Sequence, residues 1–305
     1  MINKFDWIEP ALLHSFKIEG TNAHRLCSID DGWVERFGRD ILISYQKPAT
    51  RDRLMLDLGL WSKNVNFQFS RIFGRLLPKQ NQAREAPRLL FGNPAENLRA
   101  VVTERKLKFG IDFGAGYSVG LFLDQRENRS YAQEAATRRL LNCFAYTSSF
   151  SVAAAVAGAQ TVNVDLSKKS LARGRENFAL NGLSTNDHRF IADDVRRVLQ
   201  RMARRGEKFD MIILDPPTFA RAPRGKAFRI ESDFENLLLA TLEIAERDTR
   251  VLLSTNCGTL GRRALEGMAR HCLKHVRRAG ILHRQPRPVD FPADCVATTV
   301  WITLR

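Results

Sequence analysis

From about residue 130 onward, short apolar runs alternate with longer stretches whose apolar residues recur at helical spacing. The runs at about 139–145, 161–165, 188–192, 210–214, 250–254, 279–284 and 296–304 predict strands. The stretches at about 150–158, 168–181, 194–205, 232–247 and 261–277 predict helices. Strand–helix alternation of this kind builds an α/β domain, a mostly parallel sheet with helices on both faces. Only RQPRPVDFPADC separates the last two runs, which predicts an antiparallel pair at the end of the sheet.

Before residue 130 the pattern differs. Short strand-like runs, among them GRDILISYQ and KLKFGIDFGAGYSVGLFLD, alternate with turn residues. The second of these predicts a hairpin, Lys106 to Phe113 against Ser118 to Leu123, turning through Gly114-Ala115-Gly116. Residues 76–97, polar and proline-bearing, read as a long loop or linker. The chain thus divides into a smaller β-rich N-terminal region with a hairpin, residues 1–128, and a second domain, residues 129–305.

Three of the predicted strands end in acids. In VNVDLS the acid is Asp165, about 20 residues beyond the turn that follows the first strand. A carboxylate there is placed to accept two hydrogen bonds from the vicinal hydroxyls of a ribose; it would equally serve to cap the next helix. FIADDV ends in Asp193 and Asp194, where an acid can accept from an adenine amino group or favour a helix N-terminus. FDMIILDPPTFARAPRG places Asp215 directly after four apolar residues and before two prolines. Proline stops a ladder and holds the preceding residue extended, so Asp215 is expected at the rigid carboxyl end of a strand. In open parallel sheets that edge binds ligands. The turn after the first strand, Tyr146 to Ser149, lacks the glycines of a dinucleotide fingerprint, which points to a nucleoside without a pyrophosphate.

Composition narrows the class. Hydrophobic residues make up 44% of 305, enough for a sizeable core. No apolar run is long enough to span a bilayer, so no membrane association is expected. Five scattered cysteines without CxxC spacing fit a reduced, cytoplasmic protein. The six histidines show no metal spacing, and no metal site is expected. The net charge of +15 favours polyanionic partners, nucleic acid ahead of membrane surface. Arg197, Arg201, Arg204 and Arg205 fall on one helical face; Arg221, Arg224, Lys226 and Arg229 follow the double proline; Arg71, Arg75, Lys79, Arg84 and Arg88 form a third set.

The stretches GLFLDQRENR, LLNCFAYTSSFSVAAAVAGA, VNVDLS, RENFALNGL, FIADDV, FDMIILDPPTFARAPRG and LLSTNC together resemble a known family. It is that of class I S-adenosyl-L-methionine-dependent methyltransferases of large-subunit (23S) ribosomal RNA, both cytosine-C5 and guanine-N7 enzymes. The resemblance covers roughly residues 104–260 and implies a Rossmann-like seven-stranded methyltransferase sheet. It implies that residues 142–149, with Asn142, Phe144, Tyr146, Thr147 and Ser148, wrap the methionine part of the cofactor. It assigns the ribose to Asp165, the adenine to Asp194, and the neighbourhood of the transferable methyl to Asp215 and Pro216. Gln125 and Arg126 would help to shape the pocket. The family often has glycines where this chain has Ser148 and Ser149.

Two chemistries stay open. Carbon 5 of cytosine is a poor nucleophile until a thiolate adds to its neighbour; Cys257, at the end of LLSTNC, matches the family's nucleophile position. Direct transfer to a base nitrogen would instead use DPPTF, with Phe219 stacking on the base. Either route requires an unstacked base. Cys143 reads as core, and Cys27, Cys272 and Cys295 have no partner pattern. The expected partner is RNA, in particular large-subunit rRNA. A protein or small-molecule acceptor, or a catalytically silent RNA-binding relative, are the rival readings.

Overall fold

The computed structural model describes residues 5–78, 83–135, 137–220, 228–293 and 295–305, with the side chains of residues 219 and 220 left outside that description. The chain forms two compact units. The first comprises residues 1–123 with 288–294, and the second residues 124–287 with 295–305.

In the first unit, α1 (Pro10–Ile18) precedes β1 (Ala23–Ile29), β2 (Gly32–Phe37) and β3 (Asp40–Tyr45). Helix α2 (Pro48–Asn64) then leads to β4 (Arg71–Leu76) and β5 (Arg88–Phe91). These strands form one five-stranded sheet in sequence order, parallel only between β3 and β4, where α2 makes the crossover. Its apolar face packs Leu26, Val34, Ile41, Ile43 and Ile72 against Leu54 and Leu58 of α2 and Phe16 of α1. Strand β5 lies inside the stretch that reads as a linker, so that expectation fails. Its pairing with β4, Phe73 opposite Leu89, supplies the order that local composition does not show.

The hairpin also differs from expectation. It joins β6 (Arg99–Glu104) to β7 (Leu107–Asp112) through Arg105 and Lys106. Both turn residues are left-handed, with φ 47° and 71°. Such a two-residue turn normally signals itself by Asn or Gly, so Gly114 and Gly116 attracted the assignment instead.

The second unit begins with a 3-10 turn (Leu123–Gln125, shared across the boundary) and α3 (Arg126–Glu134). There follow β8 (Arg139–Cys143), α4 (Ser149–Val156), β9 (Gln160–Asp165), α5 (Lys168–Leu180), β10 (Arg189–Ala192), α6 (Val195–Arg204) and β11 (Phe209–Leu214). The short pair β12 (Phe219–Ala220) and β13 (Phe228–Arg229) precedes α7 (Ile230–Glu243), β14 (Ala245–Thr255), α8 (Arg262–His275), β15 (Gly280–His283) and β16 (Thr298–Leu304). The seven-stranded sheet runs β10-β9-β8-β11-β14-β16-β15. Its first five strands are parallel and β16 is antiparallel to both neighbours. This is the α/β architecture expected from the alternation.

Strand residues alternate between two packed faces. Leu141, Ile212, Leu214, Val251 and Leu253 face α6, α7 and α8. Leu140, Met211, Ile213, Leu252 and Trp301 face Ala132 of α3 and Phe150 and Ala154 of α4. Strand β14 starts five residues earlier than its apolar run suggests, because Asp248 turns left-handed (φ 61°) and the ladder with β11 resumes beyond it. The chain leaves β8 toward β9 on one side and reaches β11 on the other. The crevice at such a reversal is where open α/β sheets bind ligands.

Candidate functional site

The residues at this crevice come from adjacent strand ends. Leu214 of β11 pairs with Cys143 of β8 and with Leu253 of β14, which sets Asp215, Phe144 and Ser254 level along the sheet edge. Strand β9 ends in Asp165, one strand further on.

The loop after β8 has an unusual backbone. Phe144, Tyr146 and Ser148 are left-handed, with φ of 59°, 48° and 60°. Each such non-glycine residue costs about 1–3 kcal/mol and persists only where its surroundings hold it. The surroundings here are specific. Ala145 N–H donates to Val164 C=O at 2.9 Å and Tyr146 N–H to Asp165 Oδ2 at 2.9 Å. Asn177 Nδ2 of α5 donates to Thr147 C=O at 2.9 Å. Asn142 donates to Ser151 Oγ at 3.0 Å, tying the strand to α4. The Phe144 ring packs on Phe228 at 5.7 Å between centroids.

Ser148, where the family often has glycine, is fully buried, and its hydroxyl has no hydrogen-bond partner among the described residues. It packs toward α5: a Cβ placed on Gly174 would lie 2.5 Å from Ser148 Oγ. The absence of a side chain at 174 makes room for the one at 148.

Asp165 accepts one backbone N–H on each oxygen, from Tyr146 and, at 2.8 Å, from Ser167. A carboxylate has about four lone-pair sites, so each oxygen retains capacity for a ribose hydroxyl. Burial pushes its pKa up, as befits an acid walled in beside a ligand crevice. The strained loop, the acid with spare acceptor capacity and the apolar Phe144 form a lining that fits a nucleoside-bearing cofactor without a pyrophosphate.

Asp194 is committed differently. It caps α6 by accepting from Arg196 N–H at 2.9 Å and pairs with the Arg196 guanidinium at 2.8 Å. The Arg196 hydrogen bond holds its carboxyl below the usual range. Its neighbour Asp193 pairs with Arg197 at 3.2 Å and Arg201 at 2.7 Å. Two of the four arginines expected to share a basic face are therefore neutralised locally, while Arg204 and Arg205 remain exposed. The third basic set is corrected more strongly. Arg71 is buried and bidentate to Asp40, at 2.8 and 2.7 Å, and Arg75 reaches Glu35 and Ser44 inside the first unit. Strand periodicity turns both inward, so neither belongs to a basic surface. Arg221, Arg224, Lys226 and Lys79 lie outside the described residues.

Asp215 receives a hydrogen bond from Ser254, faces Arg129 of α3, and is opposed by Asp124. Burial outweighs these partners and pushes its pKa up to about 6. Pro216 beside it is buried, and Gln125 donates to Ser254 Oγ at 2.9 Å. Arg126, 1% exposed, begins α3 next to Gln125. The backbone of Phe219 pairs with Arg229; its side chain is among those not described.

Cys257 lies two residues beyond β14, on the same sheet edge. Its Sγ is 3.0 Å from Thr259 Oγ1, whose hydroxyl donates to Glu231 Oε1 at 2.7 Å. It is 7% exposed and touches the apolar layer. Cys143 is wholly buried, as expected of a core thiol. Among the described residues, no cluster of His, Cys, Asp or Glu could hold a metal ion, and no helix is long and apolar enough to cross a membrane.

Residue-by-residue reading missed Ser254, Arg129, Asp124, Asn177, Gly174, Thr259 and Glu231. Asn177 and Gly174 carried a faint signal, a polar residue and a glycine three apart on one helical face. Thr259 is two residues beyond Cys257 but carried no signal of its own, and the others meet the site only through the packing of elements distant in sequence.

A family model described as S-adenosylmethionine-dependent methyltransferase matches residues 68–299. The ribosomal RNA large subunit methyltransferase I of Tolumonas auensis is 30% identical over 290 residues, 93% of this chain and 68% of that protein. The protein of the same name from Aeromonas hydrophila is 38% identical over 216 residues, 68% of this chain and 54% of its own. The chain spans about half to two thirds of the length of these curated relatives. The crystal structure of SMU.776 complexed with SAH superposes with a TM-score of 0.82 at 24% identity, over 97% of this chain and 78% of that one, and so shares the fold.

Proposed function

Since this chain belongs to the S-adenosylmethionine-dependent methyltransferase family, we propose that it methylates a base of large-subunit ribosomal RNA, at carbon 5 of cytosine. The observation that carries this reading is the position of Cys257. Its thiol stands on the sheet edge that ends in Asp215, and Thr259 links it to the Glu231 carboxylate.

When bound, the cofactor supplies an electrophilic methyl group. The chain's residues hold and orient. The left-handed loop 144–148 and Asn142 form the wall for the methionine part. Asp165 accepts from the ribose hydroxyls, and Asp194, at the end of the next strand, lies on the adenine side. Gln125, at the end of the 3-10 turn, and Arg126, at the start of α3, close the pocket. On the acceptor side, the Cys257 thiol loses its proton toward Thr259 and Glu231, and its thiolate adds to carbon 6 of the base. That addition makes carbon 5 nucleophilic; once carbon 5 carries the methyl, loss of its proton, with the Asp215 carboxylate placed to accept it, expels the Cys257 thiolate and restores the ring. Asp215, with a pKa near 6, holds or accepts a proton close to neutral pH. Pro216 keeps the strand exit rigid, and Phe219 is placed in sequence to stack on the base. The net charge of +15 and the exposed Arg204 and Arg205 support a polyanionic acceptor, recognised in the cytoplasm.

The burial of Cys257, 7% exposed, favours a second reading, direct transfer to a base nitrogen beside Asp215. One experiment separates them. Labelled S-adenosylmethionine is incubated with the protein and with ribosomal RNA from cells lacking it, and the RNA is digested for nucleoside mass spectrometry. Labelled 5-methylcytidine supports the first reading and an N-methylated nucleoside the second. Cofactor binding with no labelled nucleoside, on free rRNA and on assembled subunits alike, refutes RNA as the acceptor.

A further inference from the structure

Between β16 and the end of β11 the buried side chains form a one-way chain of hydrogen bonds. The indole of Trp301 can donate and cannot accept. It donates to Asn128 Oδ1 at 2.8 Å, which fixes the Asn128 amide with its nitrogen on the far side. Asn128 Nδ2 donates to Gln125 Oε1 at 2.9 Å, and Gln125 Nε2 donates to Ser254 Oγ at 2.9 Å. With its oxygen accepting from Gln125, Ser254 has its hydrogen left for Asp215. The parallel pairing of Leu214 with Leu253 independently sets Ser254 beside Asp215. Trp301, Asn128, Gln125 and Ser254 are all at most 5% exposed, so solvent does not compete for these donors. One donor-only group thus dictates the orientation of two amides and a hydroxyl that could otherwise each take either sense.

We propose that Trp301 and Asn128 are positioning residues for Asp215: the relay they begin ties one oxygen of the carboxylate to Ser254 and leaves the other for the methyl acceptor. This rests on the reading of Asp215 as the acid on the acceptor side. Two charged groups also face Asp215, Arg129 of α3 and Asp124 of the preceding turn. They set the balance of charge around the carboxylate, whereas the relay sets the direction of its hydrogen bond.

The test inverts the relay. Asn128→Asp replaces the donor at 128 with a second acceptor. Gln125 must then donate to residue 128, present its oxygen to Ser254, and draw the Ser254 hydrogen away from Asp215. Ser254→Ala removes the last link, and Trp301→Phe removes the first donor without adding charge. Asp215 is titrated directly in the full chain by carbon-13 NMR of labelled aspartate, its resonance assigned by its loss in Asp215→Asn. Methylation of ribosomal RNA is measured over the same pH range. Asn128→Asp and Ser254→Ala are expected to move the Asp215 midpoint up by roughly half to one unit, the worth of one neutral hydrogen bond, and Trp301→Phe to move it less in the same direction. The rising limb of kcat should follow the midpoint, while KM for S-adenosylmethionine stays unchanged in Ser254→Ala, which does not turn the Gln125 amide over. In a Ser254→Ala background, Asn128→Asp should move the midpoint no further, because the relay is already cut. Additive shifts would mean that the new carboxylate acts through space, and would overturn the proposal. So would unmoved midpoints in Ser254→Ala and Asn128→Asp chains that melt with the parent. A moved, non-additive midpoint with no RNA methylated would uphold the relay and refute the assigned acceptor.

Discussion

The backbone N–H of Tyr146 lies 2.9 Å from Asp165 Oδ2, so the acid that ends one strand also fastens the strained loop that ends its neighbour. On the proposed reading of Asp165 as the ribose acceptor, ligand binding and loop geometry share a single carboxylate. Asp165→Asn keeps only one side-chain oxygen for two backbone donors. It should weaken S-adenosylmethionine binding at least tenfold, and lower stability by about 1–3 kcal/mol through an unsatisfied N–H. Calorimetric titration and urea denaturation read the two effects separately. Unchanged affinity in a folded variant would remove Asp165 from the cofactor site.

The buried Asp215 carboxyl costs stability once it ionises. Its folded pKa near 6 stands above the ordinary 3.8, so between these values the folded chain binds more protons than the unfolded one. Its contribution to stability is fully present below the unfolded value and is lost as pH rises through the folded one. Asp215→Asn should therefore be more stable than the parent at pH 8, by roughly 1–3 kcal/mol, with the advantage shrinking toward pH 4. The same variant should lose methyl transfer. Denaturation at the two pH values, with an activity assay, checks both; full activity would sink the assignment.

Cys257→Ala distinguishes the two routes without identifying the product. For cytosine carbon 5 it removes the nucleophile, and the rate should fall by roughly a thousandfold or more. For a base nitrogen it removes a small apolar contact, and the rate should change by less than about tenfold. Thr259→Val, which removes the bridging hydroxyl and leaves only the 3.8 Å contact from Cys257 Sγ to Glu231 Oε1, should lower the rate only on the first route. Single-turnover methylation of ribosomal RNA is the measurement.

Gly174 and Ser148 should behave as one unit. Gly174→Ala pushes a methyl to within 2.5 Å of Ser148 Oγ. It should cost about 1–3 kcal/mol, the usual penalty of overpacking. Ser148→Gly should be tolerated alone, since φ 60° suits glycine, and should cancel most of the Gly174→Ala penalty. A double-mutant cycle by thermal denaturation would show the coupling, and independent effects would contradict it.

How much of this was readable beforehand follows from the range of the interactions. The sheet was legible because strands buried on both faces need apolar runs, and helices between them need amphipathic ones. Asp165 and Asp215 stood out because each interrupts such a run at its carboxyl end. Strand β5 and the Arg105–Lys106 turn were hidden, since one owes its order to a partner strand and the other uses residues that do not advertise a turn. Arg71 and Arg75 looked like surface charge because sequence shows their charge and not the inward register of β4. Ser254 was invisible as a site residue: its importance comes from the alignment of β14 with β11 and from a glutamine far away along the chain.

The return of residues 288–294 to the first unit bears on how such a chain can be inherited. Arg25 N–H donates to Asp290 Oδ2 at 2.8 Å, and the Arg25 guanidinium lies over the Phe291 ring at 4.2 Å. A recombination that exchanged everything after residue 124 for the corresponding part of another enzyme would carry off both groups. The first unit would then keep Arg25 without the acceptor for its backbone N–H and with Trp33 but not Phe291 against its guanidinium. Lineages that swap parts at this seam must import an equivalent acid and ring, or pass the whole chain on undivided.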